Sequence, residues 1–492
     1  MPPGRRSLRP LIAVTLAITA LGAAGPAVSA GDTTPSVRLI SPSDSVTIKR
    51  YGPKAYLDPG ILVAAVRGAF DLRVSRPDYG APIEVWQYVD GKPFRKLPGD
   101  ITRGFDGLKR FFRISLTDAD GQVVLDTSKS FCPSGQDMRV NASGPMTSSY
   151  PRYCGSFSAA GAFVLGNVWG IERGWAVPAF GWRAPTFGGP DGRYSLRVAI
   201  TPRFRQILRV DADDAAVRVA VRIKTADDQC PDCPHPGLAD DGTRGPRGFA
   251  ADQPVRGPSG VAPNAVPPAG KLPDLVALPA FEIRMNGRGA RDRIEFGANI
   301  WNAGPSPMLV EGFRRQNEDV MDAFQYFFDG DEVLGRRRVG TMEFHSGGGH
   351  RHWHFLQFAR YSLLDANGES VGVSRKQAFC LAPTDAIDLT VPGAEWQPGS
   401  TGLGTSCGGP DAVWVRETLQ AGWGDTYYQV SGQSLDVTNL PNGRYYVAVE
   451  ANPTGLLYES DTTNNIELRA IDLGGTPGDR TVTVRPWHGI DA

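Results

Sequence analysis

Apolar and polar residues alternate along many short stretches of this chain, and one stretch near the carboxyl end shows the pattern clearly. Tyr445, Val447 and Val449 alternate with mostly polar neighbours, which predicts a half-buried β-strand. Turn-forming residues separate such stretches, for example in DADGQ at 118–122 and DANGE at 365–369, as is typical of β-hairpins. Extended helical periodicity is scarce. The pattern therefore predicts an all-β fold.

Segments from the first part of the chain recur in the same order in the second part. ISLTDADGQVVLDTSKSFC, ending at Cys132, resembles YSLLDANGESVGVSRKQAFC, ending at Cys380. WQYVDG from 86 resembles FQYFFDG from 324, GW recurs at 174 and 422, and PDGRYSLRVAITP, ending at Pro202, resembles PNGRYYVAVEANP, ending at Pro453. Four matches in one order indicate an internal duplication. We therefore expect two related β-sandwich-like domains.

The length and composition agree with this division. The chain has 492 residues, which exceeds one ordinary domain, and its 59 glycines and 40 prolines fit many turns between short strands. Pro, Gly and Asp accumulate between the two repeats, which predicts a linker. The predicted order is a leader at 1–30, a first repeat at 31–225, the linker at 226–271, a second repeat at 272–475 and a tail at 476–492.

Basic and acidic side chains are balanced, with 52 of each. The first 30 residues contain Arg5, Arg6 and Arg9 and no acid, so the remaining chain has 49 basic and 52 acidic side chains. Such a near-neutral chain lacks the basic surface that attracts nucleic-acid phosphates. We therefore expect no nucleic-acid partner.

The amino terminus has the layout of a cleavable secretory signal. A basic start is followed by the apolar run LIAVTLAITALGAAG and by AVSA before a polar segment, which predicts cleavage after Ala30. A membrane anchor is the alternative, but the run is shorter than the roughly 20 residues that span a bilayer. Arg5 and Arg6 leave the choice between general secretion and twin-arginine export open. We expect a secreted protein without a stable membrane anchor after cleavage.

The six cysteines form three couples that are close in sequence, as expected for disulfides in an exported protein. The couples are Cys132 with Cys154, Cys230 with Cys233, and Cys380 with Cys407. The alternative for the second couple is half of a zinc site, but the linker holds no further thiols to complete it. A small disulfide-bonded loop is the favoured interpretation.

The clustering of histidines indicates a candidate metal site. Four of the six histidines lie within FHSGGGHRHWHFLQF, at His345, His350, His352 and His354. The last three alternate with other residues, so on a β-strand their imidazoles project from one face and can converge on one ion. Copper(II) and zinc fit imidazole ligands best, and the all-nitrogen set favours copper without excluding zinc. The alternative is an exposed histidine-rich turn.

Several motifs in order resemble the lysyl oxidase catalytic domain. They are LPDLVALP from 272, HSGGGHRHWH, KQAFCL, GWGDTY and ANPTGLLYESDTTNN. No one of them is specific alone, but together they cover about residues 272 to 470 in the order of the family. The resemblance implies a copper-dependent and quinone-dependent amine oxidase.

The resemblance also implies the roles of individual residues. His350, His352 and His354 are the expected copper ligands. Lys376 and Tyr427 are expected to join covalently as lysine tyrosylquinone, which makes both of them catalytic and cofactor-forming. On their own, the lysine would be read as a surface amine and the tyrosine as an ordinary strand aromatic.

The general base is less well defined by the sequence. Asp425 is the candidate because it lies two residues before Tyr427, although an aspartate in a G-D-T segment is at least as often a turn-capping residue. Glu343 is a weaker candidate, and His345 is a candidate fourth ligand or supporting donor. Tyr428 adjoins Tyr427, and the D-T-Y register selects Tyr427.

The first repeat lacks the residues of this site. Residues 31 to 234 contain no histidine, and Ser128 stands opposite Lys376 when the two F-C motifs are aligned. We expect this repeat to support folding, to pack against the catalytic repeat, or to dock a polymer. Its tryptophans are candidates for an aromatic platform, with core packing as the favoured alternative.

The preferred function is a secreted amine oxidase that converts primary amines, with peptidyl lysine as a candidate substrate, to aldehydes with release of ammonia and hydrogen peroxide. Oxygen is the expected second substrate. One alternative is a non-enzymatic extracellular binding or adhesion protein with a structural metal at the histidines. Another is a copper protein without quinone.

Overall fold

The computed structural model describes residues 34–226 and 264–492, except 136, 157, 287–290, 316–317, 330–331, 346–350, 357, 377 and 429–431. The predicted leader and most of the predicted linker, with Cys230 and Cys233, lie outside these residues. Residues 35–492 form one compact unit. Below, the first half means residues 35–226 and the second half means residues 264–492.

The first half consists mainly of strands. One short α-helix, α1 (Pro202–Leu208), joins its last two strands, and single 3₁₀ turns lie at Gly99–Ile101, Ala159–Phe163 and Gly181–Arg183. The strands are β1 (Ser36–Ile40), β2 (Ser45–Arg50), β3 (Ala55–Tyr56), β4 (Leu62–Val66), β5 (Phe70–Ser75), β6 (Glu84–Val89), β7 (Lys92–Leu97), β8 (Leu108–Thr117), β9 (Val123–Phe131), β10 (Met138–Arg139), β11 (Gly166–Ile171), β12 (Trp175–Pro178), β13 (Thr186–Phe187), β14 (Gly192–Ile200) and β15 (Ala216–Thr225).

The second half is also built from strands, with 3₁₀ turns at Ala269–Lys271 and Pro398–Ser400. The strands are β16 (Leu275–Ala277), β17 (Phe281–Asn286), β18 (Arg293–Asn302), β19 (Met308–Arg314), β20 (Val320–Asp329), β21 (Glu332–His345), β22 (His352–Phe355), β23 (Ala359–Leu364), β24 (Ser370–Val373), β25 (Asp385–Ala386), β26 (Trp414–Leu419), β27 (Trp423–Tyr427), β28 (Ser434–Asp436), β29 (Gly443–Ala451), β30 (Ile466–Thr476) and β31 (Asp479–Val484). The predicted mainly-β fold is confirmed.

The alternation seen in the sequence corresponds to burial. In β29, Tyr445, Val447 and Val449 are all buried, whereas Arg444 is exposed and Tyr446 and Glu450 are half-buried. The apolar set therefore faces the core, as a strand with one buried face requires. The predicted strand character of this segment is confirmed.

Three sheets have the same strand order in both halves. The orders β1-β4-β12-β10, β11-β5-β6-β7 and β15-β14-β8-β9 recur as β16-β18-β27-β25, β26-β19-β20-β21 and β30-β29-β23-β24. The second half adds β22 at the free edge of β21, and β31 pairs antiparallel with β30 where β2 pairs parallel with β15 in the first half. The segment predicted as a tail thus contains a strand of the last sheet. The strand β22 carries two of the candidate metal ligands.

Each half has its own hydrophobic core. One large cluster contains residues from 37 to 223, and another contains residues from 275 to 473. Two smaller clusters combine side chains from both halves, for example Phe163 with Phe281 and Val168 with Leu389. Trp169 is fully buried in the first core, so this tryptophan packs and is not part of a surface platform.

Two of the predicted disulfides are present. Cys132 is bonded to Cys154, and Cys380 is bonded to Cys407, so both couples are confirmed. None of the helices in the described part of the chain has the length and apolar character needed to cross a bilayer.

Candidate active site

The strand β22 carries histidines on one face and core residues on the other. Trp353 and Phe355 are fully buried in the second core, which fixes the strand against β21. His352 and His354 therefore share the opposite face, and their ring centroids lie 4.6 Å apart. His345 stands opposite His352 in the neighbouring strand, with its ring centroid 5.5 Å from that of His354.

These rings fit one part of the predicted metal site. Two imidazoles at this separation on one strand face can bind the same ion, and His354 is only 4% exposed, which favours a defined ring position. His350 lies outside the described residues, and no group of three His, Cys, Asp or Glu ligands is found within them. The nitrogen donors present suit copper or zinc. The third ligand stays a prediction.

Lys376 and Tyr427 lie together although they are 51 positions apart in the sequence. The Lys376 Nζ lies 4.5 Å from the centroid of the Tyr427 ring and donates a hydrogen bond to the Ala378 carbonyl at 2.9 Å. The Phe379 ring packs edge-on against Tyr427, with centroids 5.1 Å apart. The amine is thus held above the face of the phenol.

The Tyr427 hydroxyl is bound by the backbone of a disulfide cysteine. It donates to the Cys380 carbonyl and accepts from the Cys380 amide, both at 3.0 Å. Cys380 is bonded to Cys407, whose carbonyl accepts the amide of Trp353 at 2.9 Å. Trp353 lies between His352 and His354 on β22. The disulfide therefore links the Tyr427 phenol to β22.

Asp425 belongs to β27 and is 3% exposed. The alternative of a turn-capping aspartate is therefore wrong, because the residue is paired within a sheet opposite Ile300. Burial raises the pKa of Asp425 well above its usual range, while a hydrogen bond with Tyr427, the backbone of Ala382 and the Lys376 charge act in the opposite direction. Asp425 and Tyr427 lie two residues apart on one strand, so both side chains leave from the same face.

Glu417 is a buried carboxylate that the sequence reasoning missed. It lies on β26, is fully buried, and accepts a hydrogen bond from the Leu381 amide at 3.1 Å. Burial raises the pKa of Glu417 well above its usual range, against backbone hydrogen bonds from Leu381 and Phe355, and the nearby Asp425 charge raises it further. The signal in the sequence is a glutamate in the inward register between Val415 and Leu419, which are also fully buried.

The electrostatics of the site favour neutral forms. Burial lowers the pKa of Lys376, opposed by Asp425, and burial with the Asp425 and Glu417 carboxylates raises the pKa of Tyr427 well above its usual range. In the described part of the chain, one oxygen each of Glu417 and Asp425 has no hydrogen-bond partner. A basic amine, a neutral phenol and two under-satisfied carboxyl groups are therefore concentrated in one small volume. Glu343, by contrast, is exposed on β21.

The first half replaces these residues by apolar ones. The GW pairs place Val177 and Ala179 at the positions of Asp425 and Tyr427, and both are buried. The sheet that corresponds to β22-β21-β20 ends at β7 in the described residues. The duplicated framework is thus present without its chemistry.

Comparisons with known proteins agree with the location of the site. A profile of the lysyl oxidase family matches residues 333–478, which include His352, Lys376, Glu417 and Tyr427. Lysyl oxidase homolog 2 of Bos taurus is 32% identical over 119 residues, which are 24% of this chain and 13% of that protein. Lysyl oxidase homolog 1 of Homo sapiens is 30% identical over 137 residues, which are 27% of this chain and 21% of that protein.

The chain therefore covers only a small part of the length of these relatives. Lysyl oxidase homolog 4 of Mus musculus gives a similar match, 31% identical over 119 residues, which are 24% of this chain and 14% of that protein. Residues 333–478 of this chain are therefore similar to the lysyl oxidase family.

Proposed function

We propose that this protein is a secreted, copper-dependent and lysine tyrosylquinone-dependent amine oxidase. The substrates are primary amines, with peptidyl lysine as the candidate class. The balanced reaction converts R–CH₂–NH₂, O₂ and H₂O to R–CHO, NH₃ and H₂O₂. The observation that carries the proposal is the Lys376 amine held 4.5 Å above the Tyr427 ring, which is the pair that such a quinone requires.

The surroundings of Lys376 support its role as a nucleophile. An amine adds to an oxidised ring only in its neutral form, and burial favours this form by lowering the pKa of Lys376. Hydrogen bonds to Cys380 hold the Tyr427 hydroxyl, so the ring is presented to the amine in one orientation. The proposed bond joins Nζ of Lys376 to a ring carbon of Tyr427, with O₂ as the oxidant.

His350, His352 and His354 would hold the copper ion, with His345 as a neighbouring donor. Together, the copper and the quinone supply the oxygen-dependent redox chemistry and the electrophilic carbonyl that side chains lack. The donor set supports this assignment because imidazoles bind copper well.

Asp425 is the proposed base for the α-proton of the substrate amine. Its side chain is on the Tyr427 face of β27 and one of its oxygens has no hydrogen-bond partner among the described residues. Burial raises the pKa of Asp425, which makes its carboxylate a stronger base than an exposed aspartate. Glu417 lies close to both residues and supports their placement.

Secretion is the second part of the proposal. The predicted leader at 1–30 supports it, and the two disulfides fit an oxidising compartment. Amino-terminal sequencing of the exported protein should begin after Ala30. Retention of an intact leader in the mature protein would contradict the predicted cleavage.

The deciding experiment is a mass spectrum of tryptic peptides after copper loading in air. We expect one species that contains Lys376 linked to Tyr427, together with peroxide release when a simple primary amine is added. A protein kept in a copper chelator from the start of expression should show neither. Copper binding without the crosslink would favour a copper protein without quinone, and the absence of crosslink, peroxide and copper binding would favour a non-enzymatic binding protein.

A further inference from the structure

Asp385 connects the two halves of the molecule beside the candidate active site. It lies on β25, opposite Gly424 of β27, and is only 4% exposed. Its Oδ1 accepts hydrogen bonds from the hydroxyls of Ser156 and Ser158, which belong to the first half, and the second of these measures 2.8 Å. A carboxylate of the second half is thus bound by two hydroxyls of the first half.

The two serine hydroxyls are oriented toward this carboxylate. Ser156 Oγ accepts the Ser158 amide and Ser158 Oγ accepts the Ala160 amide, each at 3.1 Å. A hydroxyl has one proton and two lone pairs, so each serine can accept from the backbone and still donate to Asp385; the two hydroxyls also lie 3.3 Å apart. Ser158 also begins the 3₁₀ turn Ala159–Phe163 as its N-cap, which fixes its position.

The second oxygen of Asp385 binds the strand that carries the candidate catalytic residues. Oδ2 accepts the Thr426 hydroxyl at 2.5 Å and the Thr384 hydroxyl at 3.2 Å. The Thr426 hydroxyl also accepts a hydrogen bond from the Asn299 side chain at 2.7 Å. This hydroxyl therefore both donates and accepts a hydrogen bond, which fixes its orientation. Thr426 lies between Asp425 and Tyr427, so fixing its side chain fixes the rotation of β27 at those neighbours.

The duplicated framework gives an internal comparison. Met138 and Pro178 occupy the positions of Asp385 and Thr426 in the first half, and neither can form this link. The network is therefore present in the half that has the tyrosine and is lacking in the half that does not. This pattern indicates that the Asp385 network serves the candidate active site and is not required for the shared strand arrangement.

The backbone holds the two halves at the same place. The Leu165 amide donates to the Ile387 carbonyl at 2.8 Å, and the Leu389 amide donates to the Gly166 carbonyl at 3.0 Å. A Cβ at Gly166 would lie 2.0 Å from an oxygen of Asp388, so this close approach requires glycine. The serines are thus carried to Asp385 on a segment that is itself docked next to β25.

We propose that the first half is a positioning part of the active site, with Ser156 and Ser158 acting through Asp385 and Thr426 on Asp425 and Tyr427. The role of these two targets rests on the function proposed above. The first half thus orders the strand that presents the phenol to Lys376 and has no catalytic residue of its own. The four residues of this hydrogen-bond network are positioning residues: Ser156, Ser158, Asp385 and Thr426.

The test compares three variants of the full-length protein. In Ser156→Ala/Ser158→Ala both donors are lost, and in Ser156→Thr/Ser158→Thr the hydroxyls are retained. The matched control is Ser41→Ala/Ser43→Ala, which removes two serines of the same spacing whose hydroxyls bond to backbone carbonyls two residues ahead at 2.7 Å.

Hydrogen exchange by mass spectrometry, without added metal, reads out the order of β27 directly. We expect amides of Trp423–Tyr427 to exchange about tenfold faster in the alanine pair, with little change in β14 of the first half. The threonine pair and the control should resemble wild type. After copper loading, the alanine pair should also form the Lys376–Tyr427 crosslink several times more slowly.

Equal exchange of β27 in the alanine pair and wild type would overturn the inference. An equal increase in β14 and β27 would overturn it as well, because the serines would then support general stability only. If the alanine pair does not fold, Ser156→Ala alone is compared in the same way. A wild-type protein that never forms the crosslink would refute the proposed function, while the exchange data would still decide whether the serines order β27.

Discussion

Replacing Tyr427 by phenylalanine separates the chemistry of its hydroxyl from the packing of its ring. Tyr428 is a matched control because it is the next residue, has the same side chain and is 38% exposed. Tyr427→Phe keeps the edge contact with Phe379 and the ring beneath Lys376, and it removes only the hydroxyl. A phenylalanine ring cannot supply the oxygen of a tyrosine-derived quinone.

The magnitude follows from the hydrogen bonds that the hydroxyl makes. Tyr427 exchanges two hydrogen bonds with Cys380, both at 3.0 Å, and makes a third with Asp425, and each contributes about 0.5–1.5 kcal/mol net. We therefore expect Tyr427→Phe to lower the free energy of unfolding by about 1.5–4.5 kcal/mol. Tyr428 contacts the Ser158 side chain, so Tyr428→Phe should cost no more than about 1.5 kcal/mol.

The assays are urea unfolding, reaction with a hydrazine that colours quinones, and peroxide release from a primary amine. Tyr427→Phe should give no coloured adduct and no peroxide although the protein is folded, whereas Tyr428→Phe should retain both. Loss of the adduct in Tyr428→Phe with retention in Tyr427→Phe would show that the wrong tyrosine has been assigned. Retention in both variants would remove tyrosine from the cofactor altogether.

Five further outcomes test the same site. Lys376→Met should abolish the crosslink and change the free energy of unfolding by no more than about 1.5 kcal/mol, since one hydrogen bond to a carbonyl is lost. Because burial lowers the pKa of Lys376, the rate of crosslink formation in wild type should rise with pH and level off at a pH below the ordinary pKa of lysine. A series of crosslinking rates at different pH values measures this. Asp425→Asn should retain the hydrazine-reactive quinone and lose at least about a hundredfold in amine turnover. Glu417→Gln should be more stable than wild type at neutral pH by about 1–3 kcal/mol, because the raised pKa of Glu417 means that wild type must take up a proton when it folds, whereas glutamine is neutral in both states and still offers an acceptor for the Leu381 amide. Because burial raises the pKa of Glu417, this residue contributes its full stability at pH values below its unfolded-state pKa, and this contribution is lost as pH rises through its folded-state pKa. Urea unfolding at several pH values should therefore show a smaller decrease in the free energy of unfolding with pH for Glu417→Gln than for wild type.

Local patterns predicted the strands and much of the candidate site. Alternation identified β29, the H-x-H spacing placed His352 and His354 on one face, and the motif order brought Lys376 and Tyr427 together as a hypothesis. These succeed because a strand has a period of two residues, so the facing of neighbours can be read directly. The pairing of the lysine with the phenol came from the family resemblance, since spacing alone does not show contacts between residues 51 positions apart.

Residues whose role depends on distant parts of the chain were missed for the same reason. Glu417 reaches the site because β26 contributes an inward position beside the Leu381 amide, and nothing in the RETL segment names that partner. Asp385 is linked to Ser156 across 229 positions. Asp425 was ambiguous because Gly-Asp-Thr is also a turn sequence, and only pairing with β18 decides for a strand.

The duplication shows how a site can be absent from a framework that keeps its strand order. In the first half, Val177 and Ala179 fill the inward positions that Asp425 and Tyr427 occupy in the second. Burying apolar side chains there stabilises the sheet, whereas a buried carboxylate with an unpartnered oxygen lowers stability. The first half thus needs only its sheets to remain folded. The second half retains two destabilising carboxyl groups, Asp425 and Glu417, next to the phenol. Such retention of unfavourable groups is expected where function requires them, and the hydrogen bonds to Asp385 join the half without these carboxyl groups to the half that has them.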